Sequence, residues 1–182
     1  MQNHSIAKSI YFLTGASGVG KTTLVNFLEK KCIEKPWVFF HFDSIGIPSV
    51  SKMNEEYGSP SEWQKAKTFE WIDRLIALDN EQNILIEGQV NLQFIRDGFL
   101  RHNFRNYRIV LADCSVQDMG RRLTGLRNQP DLFTADMRRW REFLRQQADE
   151  LKADIIDTSS IGVSEAASVL ENLLNSGNSS RL

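Results

Sequence analysis

The sequence predicts an α/β fold, a parallel sheet covered by helices on both faces, within one domain. Three observations lead there. Short apolar runs that read as buried strands alternate with segments of helical periodicity from end to end. The first of those strands runs directly into a glycine-rich loop that opens a helix. No linker-like stretch divides the 182 residues, a length that suits a single compact core.

Ile10-Tyr11-Phe12-Leu13 is a continuous apolar run, the pattern of a strand buried on both faces. Lys21 to Lys31 carries Leu24, Phe27 and Leu28 on one stripe and reads as a helix. Trp37 to Phe42 is the second strand, punctuated by Pro36 before it and stopping at Asp43. Gly46, Pro48, Gly58 and Pro60 mark the following stretch as a loop. Ser59-Pro60-Ser61-Glu62 joins a capping serine, a proline at the first helical position and a glutamate placed for a capping box, so a helix to about Leu78 is expected. Asn83-Ile84-Leu85-Ile86 is the third strand, ending at Glu87-Gly88-Gln89, and Leu92 to Arg101 reads as a helix. Tyr107 to Ala112 is the fourth strand, with Asp113 after it. Ser115 caps a helix to about Leu126, Arg127 to Phe133 reads as a loop, and Thr134 caps a long charged helix to about Lys152. Asp154-Ile155-Ile156-Asp157 is a short fifth strand, Val163 to Leu174 the last helix, and 177–182 a flexible tail. The single domain is expected over residues 1–176, and right-handed crossovers follow from the alternation.

Composition narrows the function. Hydrophobic residues make up 41% and charged residues 25% of the chain, which is ordinary for a globular protein. A net charge of −1 offers no basic surplus for nucleic acid, so no such partner is expected. No apolar run approaches the roughly 20 residues of a membrane span. Met1 to Ser9 has too few apolar residues for a signal peptide, so a cytoplasmic protein with no membrane partner is expected. Cys32 and Cys114 form no ligand pattern with His4, His41 or His102 and read as free thiols.

The chemistry sits in Gly15-Ala16-Ser17-Gly18-Val19-Gly20-Lys21-Thr22, which fits G-x-x-x-x-G-K-[ST], with a strand before it and a helix after it. Glycines let the backbone curl until several N–H groups face one centre, and the helix N-terminus adds its positive field. Lys21 supplies a point charge for β- and γ-phosphates and Thr22 a hydroxyl for magnesium, while Thr23 completes the nucleotide-binding set. The expected ligands are ATP and Mg2+. Three classes of protein use such a loop. A GTPase would carry an N-K-x-D motif near the fourth strand, where this chain has Asp113-Cys114-Ser115. A mechanical ATPase would end a strand in two adjacent acids, and none does so here. Kinase chemistry has positive support, because ligands of open α/β sheets bind at the carboxyl ends of strands. The second strand delivers Asp43 there and the third delivers Glu87. One carboxylate can take the acceptor hydroxyl's proton, and another can serve magnesium or orient the substrate.

On Gly15 to Thr22, Pro36-Trp37 through Phe42-Asp43-Ser44, Arg121-Arg122-Leu123 with Arg127, and Ile155-Ile156-Asp157-Thr158-Ser159, the chain resembles the P-loop kinases related to nucleoside monophosphate kinases. The pattern is nearest to the chloramphenicol phosphotransferase and shikimate kinase type. The resemblance runs from Ile10 to about Leu174. It implies a three-layer P-loop NTPase fold with five parallel strands in the order 2-3-1-4-5 and a small lid over about 122–136. It further implies that Asp43 is the base, that Arg122 and Arg127 are lid arginines facing the triphosphate, and that Thr158 to Gly162 lies against adenine. Glu87-Gly88-Gln89 departs from the Asp-Gly or Asp-Asp of many relatives, and the separation of five positions from Arg122 to Arg127 is not the commonest lid spacing.

Asp43 could cap the turn after its strand, and Glu87 could be a supporting carboxylate. Arg138, Arg141 and Arg145 share a helix face and read as pairing with Glu142, Asp149 and neighbours rather than with a ligand. Arg122 and Arg127 flank the expected lid and suit developing phosphoryl charge. Trp63, Phe69, Trp71 and Trp140 read as packing residues, with Trp63 or Trp71 open to an acceptor pocket. His41 reads as a core histidine within its strand. The expected reaction is ATP- and magnesium-dependent transfer of the γ-phosphate to a hydroxyl of a small molecule. The alternatives are a nucleoside monophosphate kinase and a nucleotide-binding switch or accessory ATPase acting through a protein partner. Ser44 to Glu70 holds no arginine, only Lys52, Lys65 and Lys67. That composition favours a neutral acceptor over a phosphorylated one.

Overall fold

The computed structural model describes residues 8–31, 37–78 and 83–176; Cys32, Pro36, His4 and the expected tail at 177–182 lie outside them. Five strands form one parallel sheet: β1 (Ile10–Thr14), β2 (Trp37–His41), β3 (Asn83–Gly88), β4 (Tyr107–Asp113) and β5 (Asp154–Asp157). Their spatial order is β2-β3-β1-β4-β5, all pairs parallel, as the resemblance implied. The helices are α1 (Lys21–Lys31), α2 (Val50–Tyr57), α3 (Pro60–Ala77), α4 (Leu92–Arg101), α5 (Val116–Arg121), α6 (Ala135–Leu151) and α7 (Val163–Ser176).

Burial explains why the strands read as unbroken apolar runs. Ile10, Phe12, Ile84, Ile86, Ile109 and Leu111 point into one layer with residues of α3, α4 and α6. Tyr11, Leu13, Leu85, Val110, Ala112 and Ile156 point into the other, against α1 and α7. With both pleat faces covered, a polar side chain on the central strands is costly unless it finds a partner. The buried polar residues Thr14, Glu87 and Asp113 stand at the carboxyl ends of β1, β3 and β4, where the chain leaves the sheet.

The helix starts follow their capping residues. Ser59 Oγ accepts from Glu62 N at 3.1 Å with Pro60 in the first turn, Ser115 from Asp118 N at 3.0 Å, and Thr134 from Met137 N at 3.1 Å. Two expectations need correction. The stretch from Gly46 to Pro60 is not a loop: it holds α2, capped by Ser49 and ended by Gly58 at φ 86°. The glycines and prolines bound this helix rather than dissolve it. Also, β2 stops at His41, and Phe42–Ile45 forms a 3-10 turn, so Asp43 stands in that turn.

Candidate functional site

The loop between β1 and α1 is built by close approach. Gly15 has φ +152°, and a Cβ there would lie 2.3 Å from the Ala112 carbonyl oxygen of β4. Gly18 has φ +84°, and its Cβ would meet Leu123 Cγ at 2.8 Å. A side chain at Gly15 would collide with the β4 backbone, and one at Gly18 would press on the Leu123 side chain from a left-handed φ that favours glycine. Lys21, only 8% exposed, curls back so that Nζ donates to the Ala16 carbonyl at 3.0 Å. Burial pushes its ammonium down to about 8, against the opposing pull of Glu87 and Asp43. A weakly solvated cation at the centre of a glycine curl is an anion receptor.

Glu87, at the end of β3, is buried to 7% exposure. Its Oε1 accepts from Thr22 Oγ1 at 3.1 Å and lies 2.9 Å from His41 Nδ1. His41 is therefore not a core histidine: it ends an edge strand, half-exposed, with one ring nitrogen on a buried acid. Asp43 is solvent-exposed, but residual desolvation and then Glu87 hold its carboxyl above the usual range, while Lys21 and His41 pull the other way. Asp43, Glu87 and Lys21 thus share one electrostatic site. Thr22, in the first turn of α1, and Glu87, at the end of β3, are hard oxygen donors side by side, a set that suits magnesium carried in with phosphates. Among the described residues no group of three or more His, Cys, Asp or Glu is placed to hold a metal by itself.

A cavity of about 530 Å³ opens beside the loop, within the range of small-molecule sites. Gly18, Val19, Gly20, Lys21, Thr22 and Thr23 line it, and Arg122, Arg127, Thr158, Ile161 and Gly162 close the far side. Gly15, Ala16 and Ser17 stand behind: Gly15 packs on β4, Ala16 receives the lysine, and Ser17 Oγ donates to Gln89 Oε1 at 2.9 Å. Gln89 in turn is tied to α3, because Gln64 Nε2 donates to its carbonyl at 3.0 Å. A second cavity, about 540 Å³, lies at the opposite end of the sheet between Arg96, Tyr107 and Lys152. There α4 and α6 end, and cations beside helix C-termini have that job already.

Arg122 and Arg127 reach one cavity through a backbone device. Residues Arg122–Leu126 form a π turn closed by Arg127 N to Arg122 O at 2.9 Å. A bond from i to i+5 stacks residues five apart, so the uncommon spacing places both guanidinium groups on one side. Arg122 Nη2 donates to Thr158 O at 2.6 Å, and Nη1 to Thr158 Oγ1 at 2.9 Å and Val19 O at 3.2 Å. Removing this fork takes from the Thr158 carbonyl its Arg122 donor, while Thr158 Oγ1 keeps donating to Val19 O at 2.8 Å. Arg122→Ala is expected to lose about 1–3 kcal/mol, checked by urea denaturation, and Arg122→Lys to recover only part because it lacks the planar fork.

The role of one further residue was missed in the sequence. Asp113, 3% exposed at the end of β4, holds Arg141 Nε at 2.7 Å on Oδ1 and Arg145 Nη1 at 3.3 Å on Oδ2. The expected structural role of these arginines holds, but the main partner is a strand end rather than Glu142; Arg145 also lies 3.6 Å from Asp149. Arg138 lies over the Phe133 ring at 5.2 Å. Asp113→Ala strands a half-buried guanidinium and is expected to destabilise by about 3–5 kcal/mol, read from the denaturation midpoint. Cys114 is a free, buried thiol, and burial pushes it up to about 11, so it is unreactive.

Solved structures agree with this architecture. A shikimate kinase from Acinetobacter baumannii in complex with shikimate superposes at TM-score 0.62 with 16% identity, covering 94% of this chain and 95% of that one. The chain has the fold of the P-loop kinases. A shikimate kinase from Bacteroides thetaiotaomicron matches at TM-score 0.60 and 19% identity, over 92% of this chain and 98% of that one. A thymidylate kinase from Candida albicans matches at 0.58 and 15%, over 94% of each. No family model and no curated protein matches the sequence. Within this P-loop kinase fold, the glycine curl, Asp43 and Glu87 come from the carboxyl ends of three adjacent strands, β1, β2 and β3. No helix among the described residues is long and apolar enough to cross a membrane.

Proposed function

We propose that the protein is an ATP- and magnesium-dependent phosphotransferase that moves the γ-phosphate to a hydroxyl of a small molecule. One observation carries this reading: Lys21 and Asp43 each lie close enough to the other and to Glu87 to feel their charges, and Lys21 lines a nucleotide-sized cavity. The loop amides and Lys21 hold the triphosphate, and Arg122 with Arg127 face it from the lid at about 122–136. Thr22 and Glu87 serve the magnesium, which supplies charge neutralisation for the transferring group. Asp43 takes the acceptor proton as the acceptor oxygen attacks, and lid closure excludes water. Thr158 to Gly162 lies against the base.

The acceptor side supports a neutral compound. No arginine occurs from Ser44 to Glu70, Lys67 is paired with Glu70 at 2.7 Å, and Arg141 is held by Asp113. A nucleoside monophosphate needs a free cationic clamp for its phosphate. ATP consumption measured against sugars, nucleosides, aminoglycosides and nucleoside monophosphates tests the proposal. Acceleration by a hydroxyl compound is expected. Acceleration by a monophosphate alone, or by a protein partner alone, would replace it.

A further inference from the structure

Parallel pairing of β2 with β3 sets His41 directly opposite Glu87. A carboxylate can only accept, so the 2.9 Å contact requires a proton on His41 Nδ1. The same oxygen, Oε1, also accepts from Thr22 Oγ1 at 3.1 Å. Two donors from different elements on one oxygen oppose rotation of the carboxyl group, since turning it breaks both bonds. The Thr22 hydroxyl spends its only proton on this bond, which leaves its lone pairs for a cation. Glu87 is nearly buried, so losing a donor would leave a desolvated anion under-satisfied.

From this geometry we propose that His41 is a positioning residue: it clamps Glu87 Oε1 against Thr22, so that the other carboxylate oxygen and the Thr22 lone pairs face the metal of a bound nucleotide. The proposal rests on the reading of Thr22 and Glu87 as the magnesium-serving pair. Histidine–carboxylate contacts of this kind tune metal sites, and their loss commonly weakens metal affinity 10–100-fold. A merely structural strand-end histidine would change stability and leave metal dependence alone.

The test uses the full chain and a fluorescent ATP analogue titrated in EDTA and in Mn2+, with Mn2+ binding to the protein–nucleotide complex followed in parallel by electron paramagnetic resonance. In EDTA, His41→Ala is expected to bind the analogue within about twofold of the parent, because the loop amides and Lys21 do that work. In Mn2+, its affinity should fall by about tenfold. His41→Asn, whose amide nitrogen sits near the place of Nδ1, should recover most of the loss. Should His41→Ala fail to fold by circular dichroism, His41→Leu carries the same comparison. Parental metal enhancement in the alanine or leucine variant overturns the proposal, as does an asparagine variant no better than alanine. A parent indifferent to Mn2+ overturns the magnesium assignment and His41's role together. Lys21→Ala binding as tightly as the parent in EDTA would instead defeat the phosphate-loop reading.

Discussion

Lys21→Met is expected to abolish ATP turnover and to make the ligand-free protein more stable. Both effects have one cause. Burial holds the ammonium down to about 8, against an ordinary value of 10.5, so the fold disfavours the charged form by about 3 kcal/mol. Here the folded-state pKa of a base is depressed. Between pH 8 and 10.5 the unfolded chain binds more protons, so stability rises with pH across that window. Below it the charge is present in both states and its burial is a standing cost. Methionine keeps the stem and removes the charge. Calorimetry at pH 7 should show Tm rising by about 6–12 °C, at about 2–4 °C per kcal/mol for a domain of this size, and ATP should no longer raise it further. In the parent, affinity for ATP should weaken as pH rises above 8, as the ammonium is lost. A variant with unchanged or lower Tm that still binds ATP would refute the account.

Asp43→Asn is expected to lower turnover with a true acceptor by about 10²–10⁴-fold and to leave ATP affinity near that of the parent. The asparagine keeps the shape and cannot take a proton. Desolvation and Glu87 hold the Asp43 carboxyl above its ordinary value. An acid with a raised pKa loses its basic form as pH falls through that raised value, so the acidic limb of kcat/KM should lie above the usual aspartate range. The same limb should vanish in the variant. Full turnover in Asp43→Asn, with the limb intact, would assign the proton to another group. Comparing the limb in Glu87→Gln separates the two acids, because removing the Glu87 charge should move the Asp43 limb to lower pH.

The strand ends were readable because burial on both faces leaves polar residues few other places to stand. That logic located Gly15 to Thr22, Asp43 and Glu87, and the packing of Ile10 through Leu13 bears out the strand beneath them. The same logic misplaced His41, since a strand residue at the sheet edge can reach sideways to its register partner. Asp113 carried no local signal at all: its partners Arg141 and Arg145 are 28 and 32 residues away. Helix α2 was hidden because Pro48 and Gly58 look like loop residues until their places before a cap and at a helix end are known.

Residue types and their spacing were enough to specify alternating strands and helices, the capped helix starts and the glycine curl, because each depends on backbone preferences within a few positions. Tertiary packing alone chose which distant groups meet: His41 with Glu87 across two strands, Arg122 with Thr158 across 36 residues, and Arg122 beside Arg127 through a π turn. Such contacts depend on where whole elements dock, and docking is decided by burial over the entire core rather than by any one segment.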